Sequence, residues 1–216
     1  MSQSLERFKN KSSTYLAPLE NADGKLDFEA HKVVEVLDRE LKESPGYIGV
    51  VPIGSMVRGY ATDDSDVDVV VMRDGSGLPD QPLEGETRGR AAAADQTKRK
   101  LSYIEVYPSR SDVQKIVDLA KRGDYIEKLW MHIFSPAAIG PKIVEYRDMV
   151  RKILALESDI IRNNTIERIA QALVASESRS HSKVAKRVPE LDDKAHDEIY
   201  RERNKLWQRQ IRAILG

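Results

Sequence analysis

The chain has 216 residues, no cysteine, and 35 basic against 35 acidic side chains, for a formal charge of zero. Its 40% hydrophobic content supports a core and argues against wholesale disorder; the lack of cysteine excludes disulfide frameworks, thiolate zinc sites and cysteine nucleophiles. Zero net charge argues against coating nucleic acid through bulk electrostatics, although residues 151–216 hold 14 Lys/Arg and 10 Asp/Glu, so the front of the chain is the acidic part. No apolar run reaches the roughly 20 residues a membrane span needs, and Met1-Ser2-Gln3-Ser4-Leu5-Glu6 lacks the apolar stretch of a signal peptide, so a soluble, cytoplasmic protein without a membrane partner is expected.

In chain order, residues 26–41 (LDFEAHKVVEVLDREL) carry apolar side chains at helical spacing, and Ser44-Pro45-Gly46 stops the helix. Residues 47–53 (YIGVVPI) are short, apolar and β-branched, which predicts a strand. A polar loop follows from Gly54 to Ser65, then a second and more buried strand over 66–72 (DVDVVVM). Residues 73–86, rich in Gly, Pro and Asp, read as a loop; 87–100 as a helix; and 101–107 (LSYIEVY) as a third strand. Ser111-Asp112-Val113-Gln114 has capping-box spacing and predicts a helix ending before Gly123. After Asp124 only helices are expected, over 124–134, 141–156, 158–176 and 191–214. The expectation is an α/β (α+β) protein with a small sheet region over residues 1–122 and a helical bundle over 123–216.

Chemistry concentrates between Gly54 and Val71. Alternation along a strand puts Asp66 and Asp68 on one face, with Cβ atoms roughly 7 Å apart. Two carboxylates at that spacing repel unless a cation lies between them, and hard oxygen ligands suit Mg²⁺, which keeps positions for water and phosphate oxygens. Asp68 is also flanked by valines, a setting in which an unpaired carboxylate is costly. Gly54-Ser55 follows a strand and precedes Arg58-Gly59. Glycine lets the backbone approach a ligand, while N–H groups, the Ser55 hydroxyl and the Arg58 guanidinium can meet phosphate oxygens. Together these features describe a site for a metal-bound triphosphate.

Competing motifs fail on particular residues. An EF-hand starting at Asp64 needs glycine where Val69 stands and glutamate where Gly75 stands. No Walker A sequence occurs, and no G-x-G-x-x-G opens a helix. Asp63 and Asp64 read as solvated loop residues. His31, His132, His181 and His196 are scattered without metal-ligand spacing, and the basic run from Arg179 to Arg187 reads as a solvated connection between helices.

Gly54-Ser55, Arg58-Gly59 and Ser65-Asp66-Val67-Asp68 resemble the G-S-x-x-R-G … S-D-[IV]-D signature of the polymerase-β-like nucleotidyltransferase superfamily, particularly its minimal prokaryotic members, over residues 26–110. The resemblance implies the nucleotidyltransferase fold, a small mixed sheet flanked by helices. It also implies transfer of a nucleoside monophosphate from an NTP, ATP first, to an acceptor hydroxyl with release of pyrophosphate. Gly54, Ser55, Arg58 and Ser65 would hold the nucleotide, and Asp66 and Asp68 two Mg²⁺ ions, with Mn²⁺ as substitute. A third acid on a later strand is expected from the superfamily, and Glu105 matches by position as general base or metal ligand. A protein side chain, an aminoglycoside-like small molecule and an RNA 3′ end all stand as acceptors. The C-terminal helices are expected to form an acceptor cleft, a protein interface or a homo-oligomer contact. The alternative is a non-catalytic, antitoxin-like module that keeps the fold and binds a partner.

Overall fold

A computed structural model describes residues 28–54, 65–74, 84–97, 99–108, 110–122, 129–135, 137–178 and 192–216. Its centre is a three-stranded sheet in the order β1 (Tyr47–Ile53), β2 (Val67–Arg73), β3 (Leu101–Val106). β1 runs antiparallel to β2, with Ile53 opposite Asp68 and Tyr47 opposite Arg73 across a bulge between Tyr47 and Gly49. β2 and β3 run parallel, pairing Asp68 with Ser102 and Val71 with Glu105 without interruption. The end of β1 and the starts of β2 and β3 therefore lie at one end of the sheet.

Strand residues alternate between two faces, and each face has its own cover. Helix α1 (Phe28–Leu41) lies on the face of Tyr47, whose hydroxyl donates to Asp38 Oδ1 at 2.9 Å. Burial pushes the Tyr47 phenol up, and the Asp38 carboxylate beside it adds to the shift, so the hydroxyl stays a donor. Val33, Val34, Val36, Leu37 and Leu41 of α1 are buried, an apolar stripe in which each side chain contributes about 1.5–3 kcal/mol on leaving water. Helix α2 (Glu84–Ala94) packs against α1 and sets Arg90 over the Tyr103 ring, 4.4 Å from its centroid.

The opposite face is covered from the back of the chain. Helix α3 (Arg110–Arg122) is followed by a 3-10 helix (Leu129–Phe134), α4 (Ile143–Ala155), α5 (Asp159–Ser178) and α6 (Asp193–Leu215). Ile139 pairs with Val50 through both backbone groups, at 2.8 and 3.0 Å, and so extends the edge of β1. Gly140 makes this approach possible: at φ 148° a Cβ there would stand 2.3 Å from the Gly49 α-carbon. Arg147 of α4 donates to the carbonyls of Ile133 and Ser135 at 2.8 and 2.7 Å, tying α4 to the 3-10 helix. Burial, and then Arg151 nearby, lower its pKa. Ile143, Tyr146, Val150 and Leu154 of α4, Ile166, Ile169, Ala170 and Leu173 of α5, and Trp207, Ile211 and Leu215 of α6 join the same core as the sheet valines. Packing is thus continuous across residue 123, where sequence composition changes.

The architecture is mixed α and β, as expected from the pattern of elements. Helix α2 differs in placement, spanning Glu84–Ala94 rather than 87–100. Arg99 and Lys100 belong instead to the lead-in to β3, where the Lys100 carbonyl accepts the Val67 N–H at 2.9 Å. The segment expected as helix 124–134 is a 3-10 helix in its described part, Leu129–Phe134, just ahead of Ser135-Pro136. Proline disfavours α geometry in the residue before it.

Candidate functional site

Gly54 ends β1 at φ 80°, and the Asp68 carboxylate lies directly against its α-carbon. A Cβ added at Gly54 would fall 2.0 Å from Asp68 Oδ2. Only glycine fits here, for backbone conformation and for space alike. The two halves of the sequence motif, separate in the chain, are therefore in contact across the β1–β2 pair.

Asp66 immediately precedes β2 and Asp68 is its second residue; both are half-buried, and alternation gives them a common face. Ser65 is buried, and its carbonyl accepts a hydrogen bond from Arg99 Nη1 at 3.2 Å. The β3 residue level with Asp68 is Ser102, also half-buried. The helical cover over this face reaches the sheet at Gly49, beside Ile143. That point is four residues of strand from Ile53, the partner of Asp68, or about 13 Å at strand rise. The acid pair occupies the other end of the face.

Glu105 is elsewhere. The register pairs it with Val71, three residues beyond Ser102, and an odd offset in a strand means the opposite face. There Glu105 Oε1 accepts Arg73 Nε at 3.1 Å and the Tyr103 hydroxyl at 2.9 Å, while Oε2 accepts the Tyr107 hydroxyl at 2.6 Å. Burial alone would raise its carboxyl, but the hydrogen bonds from Tyr107 and Tyr103 and the ion pair with Arg73 outweigh it and hold the group below the usual carboxylate range. Arg73 is 1% exposed, so its charge needs this partner. The structure does not bring the three expected acids together: Glu105 lies on the face opposite Asp68 and is engaged by three donors.

Ser55 and Arg58, expected at the phosphates, lie outside the described residues, as do Gly59, Asp63 and Asp64. Among the described residues no group of three or more His, Asp and Glu side chains could hold a metal ion. Two carboxylates on one face still fit Mg²⁺, because that ion commonly takes one or two protein carboxylates and fills its octahedron with water and phosphate oxygens. Arg99 and Ser102 also lie near the two aspartates, and the sequence reading does not single them out. The signal for Arg99 is Lys98-Arg99-Lys100, three basic residues just ahead of a strand, which the expected helix 87–100 takes in. No helix among the described residues is long and apolar enough to cross a membrane. No family model, curated protein or solved structure matches the chain.

Proposed function

We propose that the chain is a metal-dependent nucleotidyltransferase of the polymerase-β-like kind, moving a nucleoside monophosphate from an NTP, ATP first, to an acceptor hydroxyl on a protein, a small molecule or an RNA 3′ end. The supporting observation is the contact between Gly54 and Asp68, which unites a glycine turn suited to close ligand approach with a paired-aspartate strand. Asp66 and Asp68 would hold Mg²⁺, which when bound neutralises triphosphate charge and orients the reacting oxygens. Gly54, lacking a side chain, lets the Asp68 carboxylate seat against the end of β1, and the Arg99 grip on Ser65 holds the backbone that leads into both aspartates. With Glu105 on the far face, proton removal from the acceptor falls to the aspartate pair or to solvent.

The test is incubation with α-labelled ATP, GTP, CTP and UTP against protein, RNA and small-molecule acceptor pools, with Asp66→Asn and Asp68→Asn in parallel. Transfer should appear with the native protein and fall by more than about a hundredfold in each variant, which keeps its volume but loses metal-binding charge. Substantial transfer by either variant would sink the assignment.

A second reading has its own support. The engagement of Glu105 in a structural ion pair suits a non-catalytic protein that keeps the fold and binds a partner. Nucleotide binding measured with and without Mg²⁺ separates the two: the enzyme requires Mg²⁺-dependent NTP binding, and the binding module does not.

A further inference from the structure

Arg99 holds the backbone just ahead of Asp66 without belonging to the motif that marks the acid pair. Its Nη1 donates to the Ser65 carbonyl at 3.2 Å, and its own backbone N–H donates to Thr97 Oγ1 at 3.0 Å. One residue later, the Lys100 carbonyl accepts the Val67 N–H. The lead-in to β3 therefore grips the lead-in to β2 at the two residues that flank Asp66. Because the Ser65 carbonyl carbon is bonded to the Asp66 nitrogen, bond lengths alone hold Arg99 Nη1 within about 7 Å of the Asp66 α-carbon.

A fixed positive charge at that range acts in opposite directions on two ligands of the same carboxylates. A bare divalent cation is repelled by the guanidinium. A cation carrying a polyphosphate brings several negative charges with it, and for these the guanidinium is an attraction and a donor. We propose that Arg99 is the positioning residue that makes the Asp66–Asp68 pair select a metal already loaded with a polyphosphate over the bare metal. This rests on the nucleotide reading above and adds to it the group that discriminates.

The sign of the effect separates this role from simple support of the strand. Mn²⁺ alone would be titrated by its relaxation signal, and Mg²⁺ with the non-hydrolysable analogue α,β-methylene-ATP by calorimetry. Both titrations would use the full chain as wild type, Arg99→Gln and Arg99→Lys, with thermal unfolding recorded for each. Arg99→Gln should bind bare Mn²⁺ about two- to fivefold more tightly and the Mg²⁺-nucleotide analogue about two- to fivefold more weakly, the range for a partly exposed charge pair. Arg99→Lys keeps the charge and should stay within about twofold of wild type for both probes. Arg99→Gln weakening both probes together, or changing neither, overturns the proposal and leaves the nucleotide reading standing. Should Arg99→Gln not fold, Arg99→Lys decides alone: loss of both affinities would show that the fork to Ser65, not the charge, is what matters. A wild type that binds neither probe brings down the nucleotide reading, and the selectivity role with it.

Discussion

Gly54 and Glu105 show how differently two candidate site residues can be committed. At Gly54 an alanine would hold a left-handed backbone, costing about 1–2 kcal/mol, and its methyl would displace the Asp68 carboxylate. Gly54→Ala should therefore lower stability by at least that amount in urea titration and weaken Mn²⁺ binding as well. Full Mn²⁺ affinity in the variant would show that Asp68 does not need its present position. Glu105→Gln should behave in the reverse way. It leaves the buried Arg73 guanidinium, whose Nη2 already has no hydrogen-bond partner, without its counter-charge. A loss of about 2–3 kcal/mol is expected, below the range for a fully buried pair because Glu105 is only half-buried, with divalent-cation binding unchanged. Loss of cation binding at unchanged stability would return Glu105 to the metal site.

Elements were more legible than their arrangement. The strands 47–53 and 66–72 announced themselves as short β-branched runs and stand as Tyr47–Ile53 and Val67–Arg73. Helix α4 follows its apolar spacing closely, with Ile143, Tyr146, Val150 and Leu154 all buried. Alternation within one strand is readable from sequence as well, and it is what places Asp66 and Asp68 on a common face. Which face of β3 continues the Asp68 face of β2 was not readable, because that depends on pairing register, set by contacts far apart in sequence such as Arg99 with Ser65 and Arg73 with Glu105. For this reason the sequence alone does not tell which face Glu105 takes. At the same scale, α6 is held to the core by Trp207, Ile211 and Leu215. Trp207→Ala should cost about 3–5 kcal/mol, and hydrogen exchange should rise first in α6 and in α5, against which it packs. Faster exchange spread evenly over the sheet would instead mean that the helices and sheet unfold as one unit.

Across the whole molecule, the shared core couples the sheet and the helical back, so a weakness at one ion pair is felt as global stability. Glu105 has a depressed carboxyl in the folded state. Its contribution is therefore complete above the ordinary glutamate value of 4.5 and is lost as pH falls through the lower folded value. Stability of the wild type should drop as pH falls below about 4.5 more steeply than that of Glu105→Gln, in which this group no longer titrates. Parallel curves would assign acid lability to other carboxylates. The uninterrupted register of β2 and β3 also makes the offset between these two strands a chemical quantity. A slip of β3 by one residue against β2 would reverse which side of the sheet every β3 side chain occupies. Glu105 would then leave Arg73 and join the side of Asp68, turning two acids into three while stranding a buried cation. Two residues restore the original sides. In this chain, charge at the candidate site and stability of the core both turn on the register of one strand.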